Sequence, residues 1–245
     1  MRLVWCTATG LLGTGLFITA LGTVTTCAES DPCGAGPLPS PSPEQQVLLD
    51  PAGEAFQTTP PDTFRVLLET TKGDVTVDVL SEWAPLGAQR FYNLVRNRFF
   101  DGTRFFRVLT GGIVQFGVHG VPEVQAAWND FVMPDDSVSA SNLTGTLVFA
   151  TAGPNTRTTQ LFINYRDNVQ YDSQGFAPIG RVTDGMHILL QLNGEYGDMA
   201  SLGGNGVNYQ CLIAGGEAYL ARYFDRMDRI ISARIINGSA AGGPS

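Results

Sequence analysis

A β-hairpin pattern opens the ordered part of this chain and limits what the rest can become. Phe64-Arg-Val-Leu-Leu-Glu-Thr-Thr71 and Val75-Thr-Val-Asp-Val-Leu80 are rich in β-branched residues and flank Lys72-Gly73-Asp74, a good hairpin turn. Further runs of strand character follow at Arg104–Leu109, Ile113–Phe116, Thr146–Ala152, Leu161–Tyr165, Ala177–Val182 and Ile230–Ile236. Two full helices interrupt them. The first is predicted over about 84–99, with Pro85 in its first turn and Phe91, Leu94, Val95 and Phe99 at helical spacing. The second is predicted over about 217–226, with Leu220, Tyr223, Phe224 and Met227 on one side, and a short helix is expected at Met186–Leu192. Strands and helices do not alternate, so a parallel α/β sheet is disfavoured. The pattern predicts a mainly β fold: a closed antiparallel barrel capped by helices.

The ends read differently. Arg2 precedes an uncharged run from Leu3 to Ala28, and Thr26-Cys27-Ala28 resembles a small-residue cleavage site. Residues 1–28 are therefore expected to be a secretory signal peptide, with an uncleaved membrane anchor as the alternative. The expected localisation is the secretory pathway, either the endoplasmic reticulum lumen or the outside of the cell. Residues 29–60 carry Pro32, Pro37, Pro39, Pro41 and Pro43 among Ser and Gly, and read as a linker that cannot fold alone. The domain is expected over 61–237, and 238–245 reads as a disordered tail. Cleavage would remove Cys6 and Cys27 and leave Cys33 and Cys211, which either form one disulfide in an oxidising compartment or stay free. Two glycosylation sequons occur, Asn142-Leu-Thr144 and Asn237-Gly-Ser239.

The net charge of −8 argues against a nucleic-acid or anionic-membrane partner, which would need a basic footprint. His119 and His187 are too isolated for a histidine-based metal site or triad, and no Cys-x-x-Cys motif supports zinc or dithiol chemistry. No metal is expected. No Ser or Cys sits in the setting of an activated nucleophile.

The chemistry gathers in two segments, Phe105–Gly117 and Phe149–Ile163. The first carries Arg107 on a strand and Gln115 eight positions on, although the turn at Gly111-Gly112 breaks strict counting between them. The second is a strand, a Gly-Pro-Asn turn, and a strand carrying Gln160 and Phe162 on one face. An Arg, two Gln and aromatics on one face would make a groove for an extended peptide, with donors for backbone carbonyls and an apolar pocket for a ring. The alternative is a barrel with scattered polar residues.

From about Phe64 to Met186 the chain resembles the cyclophilin family of peptidyl-prolyl cis–trans isomerases. The matching parts are Phe91-Tyr-Asn-Leu94, Phe99-Phe-Asp-Gly-Thr-Arg-Phe-Phe-Arg107, Gln115, Ala152-Gly-Pro-Asn-Thr156, Gln160-Leu-Phe-Ile163 and Gly180-Arg-Val-Thr-Asp-Gly-Met186. The part from Gly194 to Ile236 resembles the extended end of some bacterial-type members. The resemblance implies an eight-stranded barrel with a helix at each end, rotation about Xaa–Pro bonds, and no cofactor. It implies that Arg107 is the catalytic residue, and that Gln115 holds the substrate backbone and helps orient Arg107. Phe162 and Ile113 would form the proline pocket, with Tyr171 at its usual Leu. Ala150, Thr151 and Gln160 would form the rim that meets residues before proline. Phe176 takes a position that is often His. Gln170 falls where many members carry a Trp needed for cyclosporin, which argues against affinity for that drug. Gly112 replaces a Phe that normally walls the pocket, so weakened activity is expected. The implied partners are proline-containing polypeptide clients, bound by a monomer. The alternative is a non-catalytic module that holds proline segments in the same groove.

Overall fold

The computed structural model describes residues 33–236. The expected signal, the expected tail and the sequon at Asn237 lie outside these residues. Among the described residues the strands are β1 Thr63–Thr70, β2 Gly73–Leu80, β3 Arg107–Val108, β4 Ile113–Phe116, β5 Thr146–Phe149, β6 Leu161–Asn164, β7 Pro178–Asp184 and β8 Ile230–Ile236. The helices are α1 Pro85–Arg96, α2 Pro122–Asn129, α3 Met186–Leu189 and α4 Tyr209–Tyr223. No helix among them is long and apolar enough to cross a membrane.

All eight strands join one antiparallel sheet in the order β3-β4-β6-β5-β7-β2-β1-β8, curled into a half-barrel. The expected strand-to-strand closure is not present as a ladder, because β3 is two residues long and does not pair with the outer edge of β8. The segments leading into these two ends meet instead at one bridge, Arg104 opposite Arg229. Gly102 N donates to Ile230 O at 2.8 Å and Phe105 N to Asp228 O at 3.0 Å.

Alternation along the strands fills the interior. Phe64, Val66 and Leu68 of β1 and Val75, Val77 and Val79 of β2 face Phe91, Leu94 and Val95 of α1 in one core. The same rule sends Val114, Phe116, Leu161 and Ile163 inward. It leaves Ile113, Val148 and Phe162 as a separate apolar cluster on the other face. Ala84 cannot cap α1 with its side chain. Asp136 caps it from a distant segment, accepting from Leu86 N at 3.0 Å and Gly87 N at 2.9 Å.

Three expectations change. Residues 33–60 are not a free linker within the described part. Leu48 and Phe56 are buried, Phe56 packs edge-on against Trp128 at 4.9 Å, and Trp128 Nε1 donates to Leu48 O at 2.8 Å. The prolines prevent independent folding, yet two apolar anchors suffice to seat the segment on the domain. The second long helix begins at Tyr209, capped by the Asn208 side chain, and bends at Gly216 (φ 51°). A Cβ there would lie 2.2 Å from Gly120 O, so only glycine permits this contact between α4 and the turn before α2. Finally, α2 was not anticipated.

His119 is buried beside Phe99, its Nδ1 accepts from Val121 N at 3.1 Å, and desolvation lowers its pKa to about 4. An unfolded histidine titrates near 6.5, so between these values the unfolded chain binds a proton that the folded chain refuses. Stability is full above about pH 6.5 and falls as pH drops toward 4. The expected loss through His119 is up to about 3 kcal/mol. Urea unfolding at pH 7 and pH 4.5 measures it, and His119→Gln should flatten the slope. Equal slopes in both proteins would refute the assignment.

Candidate active site

Strand register brings the sequence-predicted residues into one row. Arg107 on β3 stands opposite Gln115 on β4, Gln115 opposite Phe162 on β6, and Phe162 opposite Val148 on β5. Directly opposed residues project to the same face. That face forms the floor of a cleft of about 660 Å³. Arg107, Ile113, Gln115, Ala150, Thr151, Gln160, Phe162, Tyr171 and Phe176 all line it.

The Arg107 guanidinium is held on two sides. Nε donates to Asp198 Oδ1 at 2.7 Å and Nη2 to Oδ2 at 3.3 Å, while Nη1 donates to Gln115 Oε1 at 3.1 Å. Gln115 Nε2 in turn donates to Gln160 Oε1 at 3.0 Å, and Gln160 Nε2 to the Tyr209 hydroxyl at 2.7 Å. Each glutamine therefore uses both ends of its amide, which fixes its orientation. The Arg107 side chain remains 18% exposed and reachable from the cleft.

At the other end lies an aromatic pocket. Phe162 packs edge-on against Tyr171 at 5.9 Å and Phe176 at 5.6 Å, and these two rings meet at 5.2 Å. Ile113 and Val148 complete the cluster. Gly112 contributes no side chain. Its carbonyl accepts from Tyr165 N at 2.9 Å and from Asn168 Nδ2 at 3.2 Å.

Asn142 supports this pocket from below. It is fully buried, and its Nδ2 donates to Asp172 Oδ1 at 2.7 Å and Phe176 O at 2.8 Å. The sequon at Asn142 is thus spent on tethering the turn that carries Tyr171 and Phe176, and the fold leaves no room there for a glycan. The rim turn is fixed locally. Thr156 Oγ1 accepts from Ala152 N at 2.9 Å, and Asn155 exchanges hydrogen bonds with Asp135.

Sequence reasoning missed Asp198, Met199, Leu202, Tyr209 and Ile213. Met199, Leu202, Tyr209 and Ile213 also line the cleft, and Asp198 reaches Arg107 from the same stretch of chain. The only local signal was the density of glycines from Gly194 to Gly206. Residues 194–206 form a strap that needs them: a Cβ on Gly204 would lie 2.2 Å from Asp198 O. The strap closes on itself through Gly206 N to Asp198 O at 2.8 Å and Ala200 N to Val207 O at 3.0 Å. Tyr196 anchors it against Phe224 at 5.0 Å. Cys211, in the first turn of α4, is disulfide-bonded to Cys33 with Cα atoms 5.3 Å apart.

The family model for cyclophilin type peptidyl-prolyl cis-trans isomerases matches residues 65–206. A peptidyl-prolyl cis-trans isomerase of Acinetobacter baylyi is 30% identical over 129 residues, covering 51% of this chain and 69% of the relative. Peptidyl-prolyl cis-trans isomerase A of Dickeya dadantii is 34% identical over 128 residues, covering 50% and 67%. The fold is similar to that of a Cryptosporidium parvum cyclophilin-type isomerase solved in the presence of the dipeptide Ala-Pro. That likeness has a TM-score of 0.53 at 19% identity and covers 71% of this chain and 99% of that one.

Proposed function

The chain belongs to the cyclophilin-type peptidyl-prolyl cis-trans isomerases, and from that premise we propose that Arg107 catalyses the rotation of Xaa–Pro bonds in polypeptides entering the secretory pathway. Amide resonance sets the uncatalysed barrier at about 18–20 kcal/mol. As resonance is lost, the prolyl nitrogen becomes pyramidal and more basic. A donor aimed at its lone pair stabilises only the twisted state, so it accelerates the reaction and does not merely bind. The observation that carries this reading is the row Arg107–Gln115–Phe162, a fixed guanidinium beside an apolar pocket on one face of the sheet. In this reading Phe162, Ile113, Tyr171 and Phe176 receive the proline ring. Gln115 holds the substrate backbone, and Ala150, Thr151 and Gln160 meet the residues before proline. The hydrogen bonds between 102–105 and 228–230 support reading the half-barrel as functionally closed. The Cys33–Cys211 disulfide supports an oxidising compartment.

The pocket lacks an aromatic wall at Gly112, and we take this to weaken turnover. The wild-type protein is expected to accelerate isomerisation of a Xaa-Pro peptide measurably above the spontaneous rate. Gly112→Phe is expected to raise kcat/KM by up to about tenfold, part of the 1.5–3 kcal/mol available from burying a phenylalanine side chain. The new Cβ would lie 3.2 Å from Leu109 Cβ and 3.4 Å from Leu109 O, so the Leu109–Gly112 turn must give by a few tenths of an ångström to accept it. The same missing wall favours a second reading, a groove that holds proline segments without turning them over. Peptide binding with no acceleration in either protein would establish that reading and overturn the first.

A further inference from the structure

We infer that the strap and first turn of α4 brace the Arg107 guanidinium, with Asp198 and Tyr209 as positioning residues for isomerisation. This rests on the catalytic reading of Arg107 given above.

Strand β3 alone cannot hold the guanidinium. It is two residues long and sits at the end of the sheet, so its side chain has one flank open. The strap closes that flank. Asp198 takes the Nε edge through two hydrogen bonds, at 2.7 and 3.3 Å. On the other side, the relay Gln115–Gln160–Tyr209 takes Nη1. A guanidinium has five N–H groups. Three are committed to these partners, which leaves one on Nη1 and one on Nη2 for a substrate. A planar fork held by its Nε edge is aimed before the substrate arrives, and preorganised donors act without reorganisation during the reaction. Both anchors come from the same segment. Tyr209 lies two residues from Cys211, which is bonded to Cys33, and it falls beyond the family match, which ends at residue 206. The brace thus draws partly on residues outside the matched ones.

An opposite role is conceivable for the same contact: a carboxylate that neutralises the guanidinium and restrains it. The two unused N–H groups and the exposure of Arg107 to the cleft favour positioning. Kinetics separates the two. Asp198→Asn keeps an oxygen that can accept from Met199 N, as Asp198 Oδ1 does at 2.8 Å, so the strap retains its own turn. It is expected to lower kcat about tenfold with KM nearly unchanged, and Tyr209→Phe to lower it about threefold. In an Arg107→Ala background neither change should alter the residual rate, because both residues act through Arg107. A wild-type or faster rate in Asp198→Asn overturns positioning, and so does a loss that persists without Arg107. Wild-type turnover is the control: if it is absent, the catalytic reading falls first. Proton–nitrogen correlation spectra add a readout free of activity. Arg107 Nε–H should give a resolved, downfield signal that Asp198→Ala, which removes the Oδ1 acceptor, abolishes, and a signal unchanged by that substitution overturns the brace.

Discussion

Arg107→Ala is expected to lower kcat/KM for a Xaa-Pro peptide by about 100- to 1,000-fold, the range seen when one preorganised donor is removed from an active site. No neighbour can take over. The end of the Gln115 amide that the substitution frees is its oxygen, an acceptor, while Nε2 stays on Gln160, and the hydroxyl of Tyr209 is reached only through Gln160. Lysine should rescue little, because a point charge on a flexible stem cannot use the Nε edge that Asp198 grips. The fold should survive. The Arg107–Asp198 pair is partly exposed, at 18% and 30%, so its loss costs no more than about 1 kcal/mol. The measurement is an isomerisation assay alongside a thermal melt. A variant that folds and keeps more than about a third of wild-type activity would remove Arg107 from the mechanism.

Much of this site could be read from the sequence because it lies on strands. Gln160 and Phe162 are two apart on one strand, so their shared face follows from the pleat. Arg107 and Gln115 lie on different strands, and only the register across the Leu109–Gly112 turn makes them direct neighbours. Helix α1 was legible for the same reason, since its apolar spacing agrees with the face it buries. Helix α4 was half legible. Gly215 and Gly216 mask its first turns, and the cap at Asn208 lies among other small polar residues. Asp198 was not legible. It meets Arg107 across 91 positions, inside a glycine-rich stretch with no periodicity. Its role depends on how the strap folds back, which no local pattern encodes. The packed stretch around Leu48 and Phe56 was hidden by its prolines. Composition described how that segment behaves alone, whereas its position is set by what Trp128 offers it.

Removing the disulfide, by reduction or by Cys33→Ser with Cys211→Ser, is expected to cost about 3–5 kcal/mol of stability, toward the upper end for one bridge because the bridge spans 178 residues. The cost falls mainly on the unfolded state. In the folded chain the N-terminal segment keeps its other anchors: buried Leu48 and Phe56, and the Trp128 Nε1 hydrogen bond to Leu48 O. Little native contact is lost with the bridge, while the unfolded chain regains the freedom that a closed loop of that length had removed. Equilibrium urea unfolding of the oxidised and reduced proteins measures the difference. A shift below about 1 kcal/mol would mean that the unfolded chain is already held compact by other contacts. A domain stable by about 5–15 kcal/mol would lose a large fraction of its margin in a reducing compartment. The bridge also ends two residues from Tyr209, so the reduced protein should lose part of the restraint on the glutamine relay before it unfolds. Stability and the aim of Arg107 are therefore tied to the same covalent link, and both depend on the chain reaching an oxidising environment.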